Sequence, residues 1–233
     1  MTEETSKPIP ELTVAIAAYN ERATIMQVLE RVIAVPVTKQ IIVVDNCSTD
    51  GTRELLADVD DSVEVIFQPR NLGKGTSIRT AITHARGEYF IIQDADLEYE
   101  PEQYPRLLSY AREHDLDALY GSRVMDGRNT NYVGYYFGVQ ALTWMTNVLY
   151  GARLTDVATA CKMFRTSVVS KLNLRGASFD LDFEVTNKIC RDNWRIDEVP
   201  VPYHPRTFDE GKKIRSRDGL SAAYVIIRDR FIE

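Results

Sequence analysis

Short runs of apolar, mostly β-branched residues alternate along the chain with longer stretches in which apolar residues recur every three or four positions. The run at 12–17 predicts a buried strand, and the spacing of Ile25, Val28, Leu29 and Val32 predicts a helix after it. The same pattern predicts strands at 40–44, 63–67, 89–93 and 117–120, and helices at 23–34, 52–59, 77–85 and 101–113. This β-α-β-α order is typical of an α/β fold with a mainly parallel sheet flanked by helices.

The alternation stops after about Gly121. Beyond it the pattern predicts a helix at 135–151 that is apolar nearly all round, short strands at 162–164 and 195–200, a helix at 183–191 and a closing amphipathic helix at 219–231. No internal repeat or linker interrupts the chain. We therefore predict a single domain over 1–233, with a first half at about 1–122 and a second half with the C-terminal helix at about 123–233.

Polar residues follow four of the predicted strands at the point where each strand ends. They are Tyr19-Asn20-Glu21, Asp45-Asn46, Pro69-Arg70-Asn71 and Asp94-Ala95-Asp96. Right-handed crossovers bring the carboxyl ends of parallel strands to one edge of the sheet, and ligands of such sheets bind beyond that edge. The four strand ends therefore predict one polar crevice.

Asp94 and Asp96 are the sharpest chemical signal in that crevice. Residues i and i+2 at a strand end point the same way, so both carboxylates can face one cation, with Glu98 close enough to join them. Mg²⁺ or Mn²⁺ prefers oxygen ligands and commonly shares its shell with substrate phosphates, where it stabilises a departing diphosphate. The alternative is an acidic surface turn.

Other strand ends offer further polar contacts, each with a plain structural alternative. Asp45 can accept hydrogen bonds from a base or ribose, whereas Asp50 is expected to cap the helix that follows. Lys74 lies in a glycine-bearing loop that lacks the spacing of a P-loop. Lys74 can still contact a phosphate; the alternative is that the glycines only permit a tight turn. Arg123 can hold a phosphate or form a salt bridge.

The charge balance narrows the class of partner. The 233 residues carry a net charge of −6, which argues against a nucleic-acid binder. Five basic residues nevertheless cluster near the C-terminus, which suits either an anionic ligand or a solvated tail; they are Arg206, Lys212, Lys213, Arg215 and Arg217. Three widely spaced cysteines suggest no metal site or disulfide framework, the N-terminus does not look like a signal peptide, and no apolar run is long enough to span a bilayer.

Four motifs in this order and spacing resemble the family 2 glycosyltransferases of the GT-A fold. They lie at 18–21, 44–52, 71–75 and 94–101. Residues 121–123 and 203–213 resemble the dolichol-phosphate mannose synthase-like, or polyprenyl-phosphate glycosyltransferase, subgroup, so that the resemblance runs from about 12 to about 219. One position departs from the family motif, because proline is usual where Ala17 or Ala18 stands. The Q-x-x-R-W motif of processive synthases is absent, which argues against a cellulose- or hyaluronan-type polymerase.

The resemblance implies a GT-A, Rossmann-like donor half, a C-terminal acceptor-side elaboration and inversion at the anomeric carbon. It implies a nucleotide-sugar donor contacted by Ala18, Tyr19, Glu21, Asp45, Lys74, Asp94 and Ala95. It further implies Mg²⁺ or Mn²⁺ at Asp94, Asp96 and Glu98, with Asp96, Arg123, Arg206 and Asp182 as candidate catalytic residues. Arg123, Arg206, Lys212 and Lys213 are the expected cations for an acceptor phosphate.

The acceptor stays open between two chemistries. A polyprenyl or dolichyl phosphate needs cations and no general base, whereas a hydroxyl of a saccharide or small molecule needs a carboxylate base, for which Asp156, Asp182 and Glu184 are candidates. A non-catalytic nucleotide-sugar binding module and a nucleotidyltransferase are the remaining alternatives. We expect a cytoplasmic protein. The helix at 135–149 can lie against a membrane or simply pack in the core, and with the amphipathic C-terminal helix it can form a homodimer surface.

Overall fold

A computed structural model describes residues 9–125, 133–206 and 216–232, except the side chains of 133–136 and 216–218. Seven strands form one sheet in the order β3-β2-β1-β4-β6-β5-β7. The strands are β1 (Leu12–Ala18), β2 (Lys39–Asp45), β3 (Val63–Phe67), β4 (Tyr89–Asp94), β5 (Ala118–Ser122), β6 (Lys162–Arg165) and β7 (Ile196–Pro200). Strands β6 and β7, from the second half of the chain, therefore extend the sheet that the first half begins.

The expected mainly parallel sheet is confirmed. Strands β3, β2, β1 and β4 run parallel, and β5 runs parallel to β7. Strand β6 lies between β4 and β5 and is antiparallel to both, a reversal that the hydrophobic pattern did not predict. Because β6 runs the other way, it closes the gap between the two parallel groups without adding a carboxyl end to the ligand-binding edge.

The described helices match the predicted ones, with shifted ends. They are α1 (Ile25–Ala34), α2 (Thr52–Ala57), α3 (Lys74–His84), α4 (Tyr104–Glu113) after a 3₁₀ turn at Pro101–Gln103, α5 (Val133–Tyr150), α6 (Thr166–Val169), α7 (Leu181–Arg191) and α8 (Ser216–Phe231). Helix α3 begins three residues earlier than predicted and so has Lys74 and Gly75 in its first turn. Helix α6 is a single turn that the periodicity did not indicate.

Two apolar layers hold the helices against opposite faces of the sheet. Side chains alternate along a strand, so Val14 and Ile16 of β1 pack with α1 and α4, whereas Ala15 packs with α3, α7 and α8. The central strands are buried on both faces, which explains their near-continuous apolar sequences. Among the described residues, no helix combines the length and apolar character needed to cross a membrane.

Candidate active site

A cleft of about 420 Å³ lies at the carboxyl ends of β1, β2 and β4. The register of the sheet creates it, because Ala18 pairs with Asp45 and Ala17 pairs with Asp94, so that the three strands end side by side. Its walls include Ala18, Tyr19, Glu21, Asn46, Asn71, Lys74, Asp94, Ala95, Asp96 and Glu98 from the first half, and Ser178, Phe179, Tyr203 and Arg206 from the second. The predicted crevice of strand ends is therefore present.

Lys74 and Asp94 form an ion pair on one wall of the cleft. The Lys74 ammonium lies 2.6 Å from the Asp94 carboxylate, at the start of α3. Burial disfavours the charge on Lys74, but the carboxylates of Asp94 and Asp182 outweigh that effect and raise the pKa of Lys74. Lys74 therefore stays a fixed positive charge in the cleft, as a group that meets a diphosphate requires.

Asp96 faces the same cleft and is paired with Arg206. The guanidinium of Arg206 lies 2.5 Å from the Asp96 carboxylate and 3.1 Å from Glu21. Burial, followed by the negative charges of Asp94 and Glu98, nevertheless raises the pKa of Asp96 to about 7. The Arg206 guanidinium thus does not offset the combined effect of burial and the neighbouring carboxylates on Asp96.

Two aspartates, without Glu98, form the set that fits a divalent cation. Glu98 lines the cleft, but both of its carboxylate oxygens are engaged, because they accept hydrogen bonds from the Tyr203 hydroxyl at 3.0 Å and the Arg206 backbone N–H at 2.9 Å. In the part of the chain that the structure describes, no three Asp, Glu, His or Cys side chains are close enough to hold a metal ion. Mg²⁺ and Mn²⁺ are commonly bound by one or two carboxylates with substrate phosphates and water, so Asp94 and Asp96 suit that role. Burial and the charges of Asp94 and Glu98 disfavour the ionised Asp96 carboxylate, and such a cation would favour it.

Arg123 is engaged in the structural alternative to phosphate binding. Its guanidinium forms two hydrogen bonds with the Asp156 carboxylate, at 2.6 and 2.7 Å, and Asp156 is fully buried. The same guanidinium lies 5.2 Å from the centre of the Tyr203 ring, whose hydroxyl binds Glu98. Arg123 therefore supports the acceptor-side wall, and Asp156 is occupied as its partner and unsuited to act as a base.

Asp45 is placed differently from the predicted base or ribose contact. It is fully buried at the end of β2, where it accepts the Ser48 N–H at 3.3 Å and faces the Arg53 guanidinium at 3.5 Å. It does not line the cleft as described. Asp50 accepts the Thr52 N–H at 3.0 Å at the start of α2, but the N-cap residue is Gly51 and it makes no side-chain cap, so Asp50 is not the expected N-cap.

The glycines around Lys74 allow two backbones to approach closely. A Cβ on Gly75 would lie 2.6 Å from the Gly176 carbonyl oxygen, and one on Gly73 would lie 2.1 Å from that of Ala177. This contact brings Phe179 to the cleft, with its ring centre 5.8 Å from the Lys74 ammonium. Neither Ser178 nor Phe179 belongs to a recognisable motif, so sequence reasoning missed the contribution of this segment to the cleft wall.

Gly75→Ala is expected to destabilise the protein by about 1–3 kcal/mol, because the added methyl group overpacks the contact with the 176–178 backbone. Nucleotide affinity should fall as well, since Lys74 and Phe179 are positioned by that contact. Denaturant unfolding and nucleotide titration measure the two effects. Gly138→Ala is the matched control, because Gly138 is an exposed helix position where a Cβ meets no atom within 4 Å. The free energy of unfolding of this variant should be unchanged or higher by up to about 1 kcal/mol. Equal effects of the two changes would contradict the prediction.

The two remaining candidate bases differ in how they are held. Glu184 is fully buried, binds Lys188 at 2.7 Å and accepts the N–H groups of Arg175 and Gly176, so it anchors the loop before α7. Asp182 lies 3.4 Å from the buried ammonium of Lys162. Glu184 thus has a structural task, so Asp182 stays the candidate base, although it does not line the cleft as described. Lys212 and Lys213 lie outside the described residues.

Sequence comparison identifies relatives over most of the chain. The sequence model of glycosyl transferase family 2 matches residues 13–172. A low-salt glycan biosynthesis hexosyltransferase, Agl6, of Haloferax volcanii is 29% identical over 204 residues, covering 84% of this chain and 48% of the relative. A dodecaprenyl-phosphate galacturonate synthase of Rhizobium johnstonii is 26% identical over 231 residues, covering 94% of this chain and 65% of the relative. The chain thus spans about half to two thirds of the length of these curated relatives.

Solved structures share the fold at low sequence identity. Glucosyl-3-phosphoglycerate synthase from Mycobacterium tuberculosis, in complex with phosphoglyceric acid, superposes with a TM-score of 0.70 at 16% identity, covering 96% of this chain and 81% of that one. The mannosyltransferase PcManGT from Pyrobaculum calidifontis, in complex with GDP-Man and Mn²⁺, gives 0.60 at 20% identity, covering 83% and 56%. The expected GT-A fold is confirmed by these neighbours. The matched residues run from β1 through β6 and make up more than half of the sequence. The chain therefore belongs to glycosyl transferase family 2.

Proposed function

We propose that the chain is an inverting glycosyltransferase that moves a hexose from a nucleoside-diphosphate sugar to a polyprenyl phosphate. One observation carries the proposal: two carboxylates, Asp94 and Asp96, and the cationic Lys74 face one cleft at the carboxyl ends of the parallel strands. The relatives named as a hexosyltransferase and a dodecaprenyl-phosphate galacturonate synthase support the reaction class and the lipid acceptor.

In this reaction an acceptor oxygen bonds to the anomeric carbon from the face opposite the nucleotide. The bond from that carbon to the diphosphate oxygen breaks, and its electron pair leaves with the diphosphate. Mg²⁺ or Mn²⁺, held by Asp94 and Asp96, would supply positive charge to the departing group. Lys74 contributes a further fixed positive charge beside Asp94, in a cleft where burial strengthens the interaction.

A screen of nucleotide sugars tests the proposal directly. Purified protein is incubated with each GDP- or UDP-sugar, with Mg²⁺ or Mn²⁺, with and without polyprenyl phosphate, and the released nucleotide is measured. Release that depends on the cation and on the lipid phosphate is the expected result. Release of pyrophosphate would identify a nucleotidyltransferase, and binding without any release would identify a non-catalytic module; either result contradicts the proposal.

Transfer to a hydroxyl is the second candidate function, because Asp182 lies beside the loop that carries Phe179 into the cleft. Asp182→Asn separates the two: with a phosphate acceptor kcat should stay within about threefold, whereas loss of a general base should lower it about 10²–10⁴-fold. Lys162 loses its carboxylate partner in this variant, so kcat is normalised to the folded fraction determined by thermal unfolding. A large loss with lipid phosphate as acceptor would contradict the first function.

Helices α5 and α8 expose apolar side chains that the core does not explain. Helix α5 buries Thr143 and Thr146 while 68% of Trp144 is exposed. Helix α8 packs beside α5, since the Tyr150 hydroxyl donates to the Ile226 carbonyl at 2.8 Å. Its exposed apolar residues recur at helical spacing, at Leu220, Tyr224, Ile227 and Phe231.

We propose that this α5–α8 surface, defined by Trp144, Val148 and the four exposed α8 residues, rests on a lipid bilayer. An acceptor anchored in a membrane requires that approach, and Trp and Tyr favour the membrane interface. The expected location, cytoplasmic and against the face of a membrane, remains part of this proposal. Co-sedimentation with vesicles of anionic phospholipid is the expected result; a concentration-dependent dimer that ignores vesicles would contradict it.

A further inference from the structure

Arg206 occupies the position of a cation within the candidate active site. It follows β7 on the segment Tyr203–Arg206, and its guanidinium contacts Asp96 at 2.5 Å, Glu21 at 3.1 Å and Glu98 at 3.7 Å. These three carboxylates line the cleft with Asp94. The described structure therefore neutralises Asp96 with the protein's own side chain.

The same segment also holds both oxygens of Glu98. One accepts the Arg206 N–H at 2.9 Å and the other accepts the Tyr203 hydroxyl at 3.0 Å. Two further hydrogen bonds fasten His204, whose N–H donates to the Glu98 carbonyl and whose ring contacts the Glu100 carboxylate, both at 2.9 Å. The segment Tyr203–Arg206 is thus tied to the strand end that carries Asp96, and Arg206 is part of that attachment.

A divalent cation at Asp96 is incompatible with this arrangement. One Asp96 oxygen contacts the Arg206 guanidinium and the other accepts the Glu98 N–H at 3.1 Å. A Mg²⁺ ion lies about 2.1 Å from its oxygen ligands, so it would compete with these groups for the carboxylate and repel the guanidinium. The present contacts are also incomplete, because the buried Nε of Arg206 has no hydrogen-bond partner among the described residues. Arg206 thus lacks the full set of hydrogen bonds expected of a permanent buried ion pair.

We propose that Arg206 is an internal substitute for the divalent cation, and that cation binding at Asp94 and Asp96 displaces it and loosens Tyr203–Arg206 from Glu98. This inference rests on the proposed metal-dependent function. Cation binding and the described attachment of the segment are then mutually exclusive. Cation binding therefore shifts the site toward the state in which the guanidinium has left Asp96.

Mn²⁺ binding without nucleotide tests the displacement, with the free ion measured by electron paramagnetic resonance. If the Arg206-displaced state is at most a tenth of the population, Arg206→Gln should bind Mn²⁺ at least about tenfold more tightly than the wild type. Arg206→Lys keeps a positive charge and should stay within about threefold. Arg31→Gln is the matched control, because it breaks the Arg31–Glu102 pair outside the cleft and should leave the affinity unchanged. Equal or weaker binding by Arg206→Gln would overturn the inference.

Hydrogen exchange supplies a second readout that does not depend on the variant's folding. In the wild type, Mn²⁺ should accelerate exchange of the His204 and Arg206 amides, since both donate to Glu98 in the cation-free state. Unchanged or slower exchange at saturating Mn²⁺ would overturn the displacement even if cation-dependent transfer is observed. Absence of Mn²⁺ binding in every variant, with and without nucleotide, would instead overturn the proposed metal-dependent function as well.

Discussion

Asp96→Asn is expected to lower kcat for sugar transfer by about 10²–10³-fold, the loss typical of removing one preorganised group that stabilises developing charge. The amide has a similar shape but no negative charge and only one oxygen, so a divalent cation loses a ligand in the cleft. Arg206, 2.5 Å from Asp96, also loses its closest carboxylate. Released nucleotide measured at saturating donor and cation gives kcat directly.

The Asp96→Asn variant should keep its fold. The pH dependence of its free energy of unfolding, compared with that of the wild type, checks this expectation. Burial and the neighbouring carboxylates raise the pKa of Asp96 from 3.8 to about 7, so the native state holds a proton that the unfolded state releases. The contribution of this group to stability is therefore complete below the unfolded pKa and lost as pH rises through the native one. Without added metal, Asp96→Asn should lose less stability than the wild type between about pH 5 and about pH 8.

Asp192→Asn is the control for a change of charge alone, because Asp192 is exposed and pairs only with the neighbouring Arg191 at 3.1 Å in the described structure. Its kcat should match the wild type. If Asp96→Asn keeps more than a tenth of the wild-type kcat, the assignment of Asp96 to the cation and the departing diphosphate is wrong.

The part of the site that lies on consecutive strand ends was predictable because local pattern and sheet geometry suffice there. Buried strands reveal themselves by apolar runs, and the parallel order then places Glu21, Lys74, Asp94 and Asp96 at one edge without knowledge of any long-range contact. The wall of the cleft that these residues form is thus encoded within about the first half of the chain.

The rest depends on contacts between residues far apart in the sequence. Asp156 lies 33 residues from Arg123, and it is this pairing that engages the Arg123 guanidinium in the cleft wall beside Tyr203, where the sequence alone predicts a phosphate contact. Phe179 reaches the cleft because Gly73 and Gly75 have no Cβ and let the 176–178 backbone approach closely. Hydrophobic periodicity does not indicate such a contact. Strand β6 likewise lies antiparallel between β4 and β5 because of its pairing with these two strands. The sequence of its four residues does not indicate in which direction it runs.

The partners of Arg206 could not be predicted from the sequence either. A basic residue near a predicted acidic site suggests phosphate binding, and its charge alone cannot distinguish a phosphate from three carboxylates of the protein itself. The described structure places Asp96, Glu21 and Glu98 around it. The competition between these carboxylates and an anionic ligand is therefore a property of the folded cleft.

Asp156→Ala is expected to destabilise the protein by about 3–5 kcal/mol, because it leaves a largely buried arginine without its partner. The Asp156 carboxylate is fully buried, receives two hydrogen bonds from the Arg123 guanidinium and accepts the Arg123 N–H at 3.1 Å. Only 10% of the Arg123 side chain is exposed, so water cannot replace the lost contacts. For a chain of this length the midpoint of thermal unfolding should fall by about 6–20 °C.

A double-mutant cycle separates an unpaired charge from a lost contact. Adding Arg123→Met to Asp156→Ala removes the buried charge and should recover part of the stability, since replacing both partners of a buried pair costs less than removing one. Glu102→Ala breaks an exposed ion pair with Arg31 and should cost at most about 1 kcal/mol. Because Arg123 stacks on Tyr203, and Tyr203 binds Glu98, the single variant should also weaken the attachment of Tyr203–Arg206. A double variant less stable than Asp156→Ala would show that the Arg123–Asp156 pair is not what holds this wall.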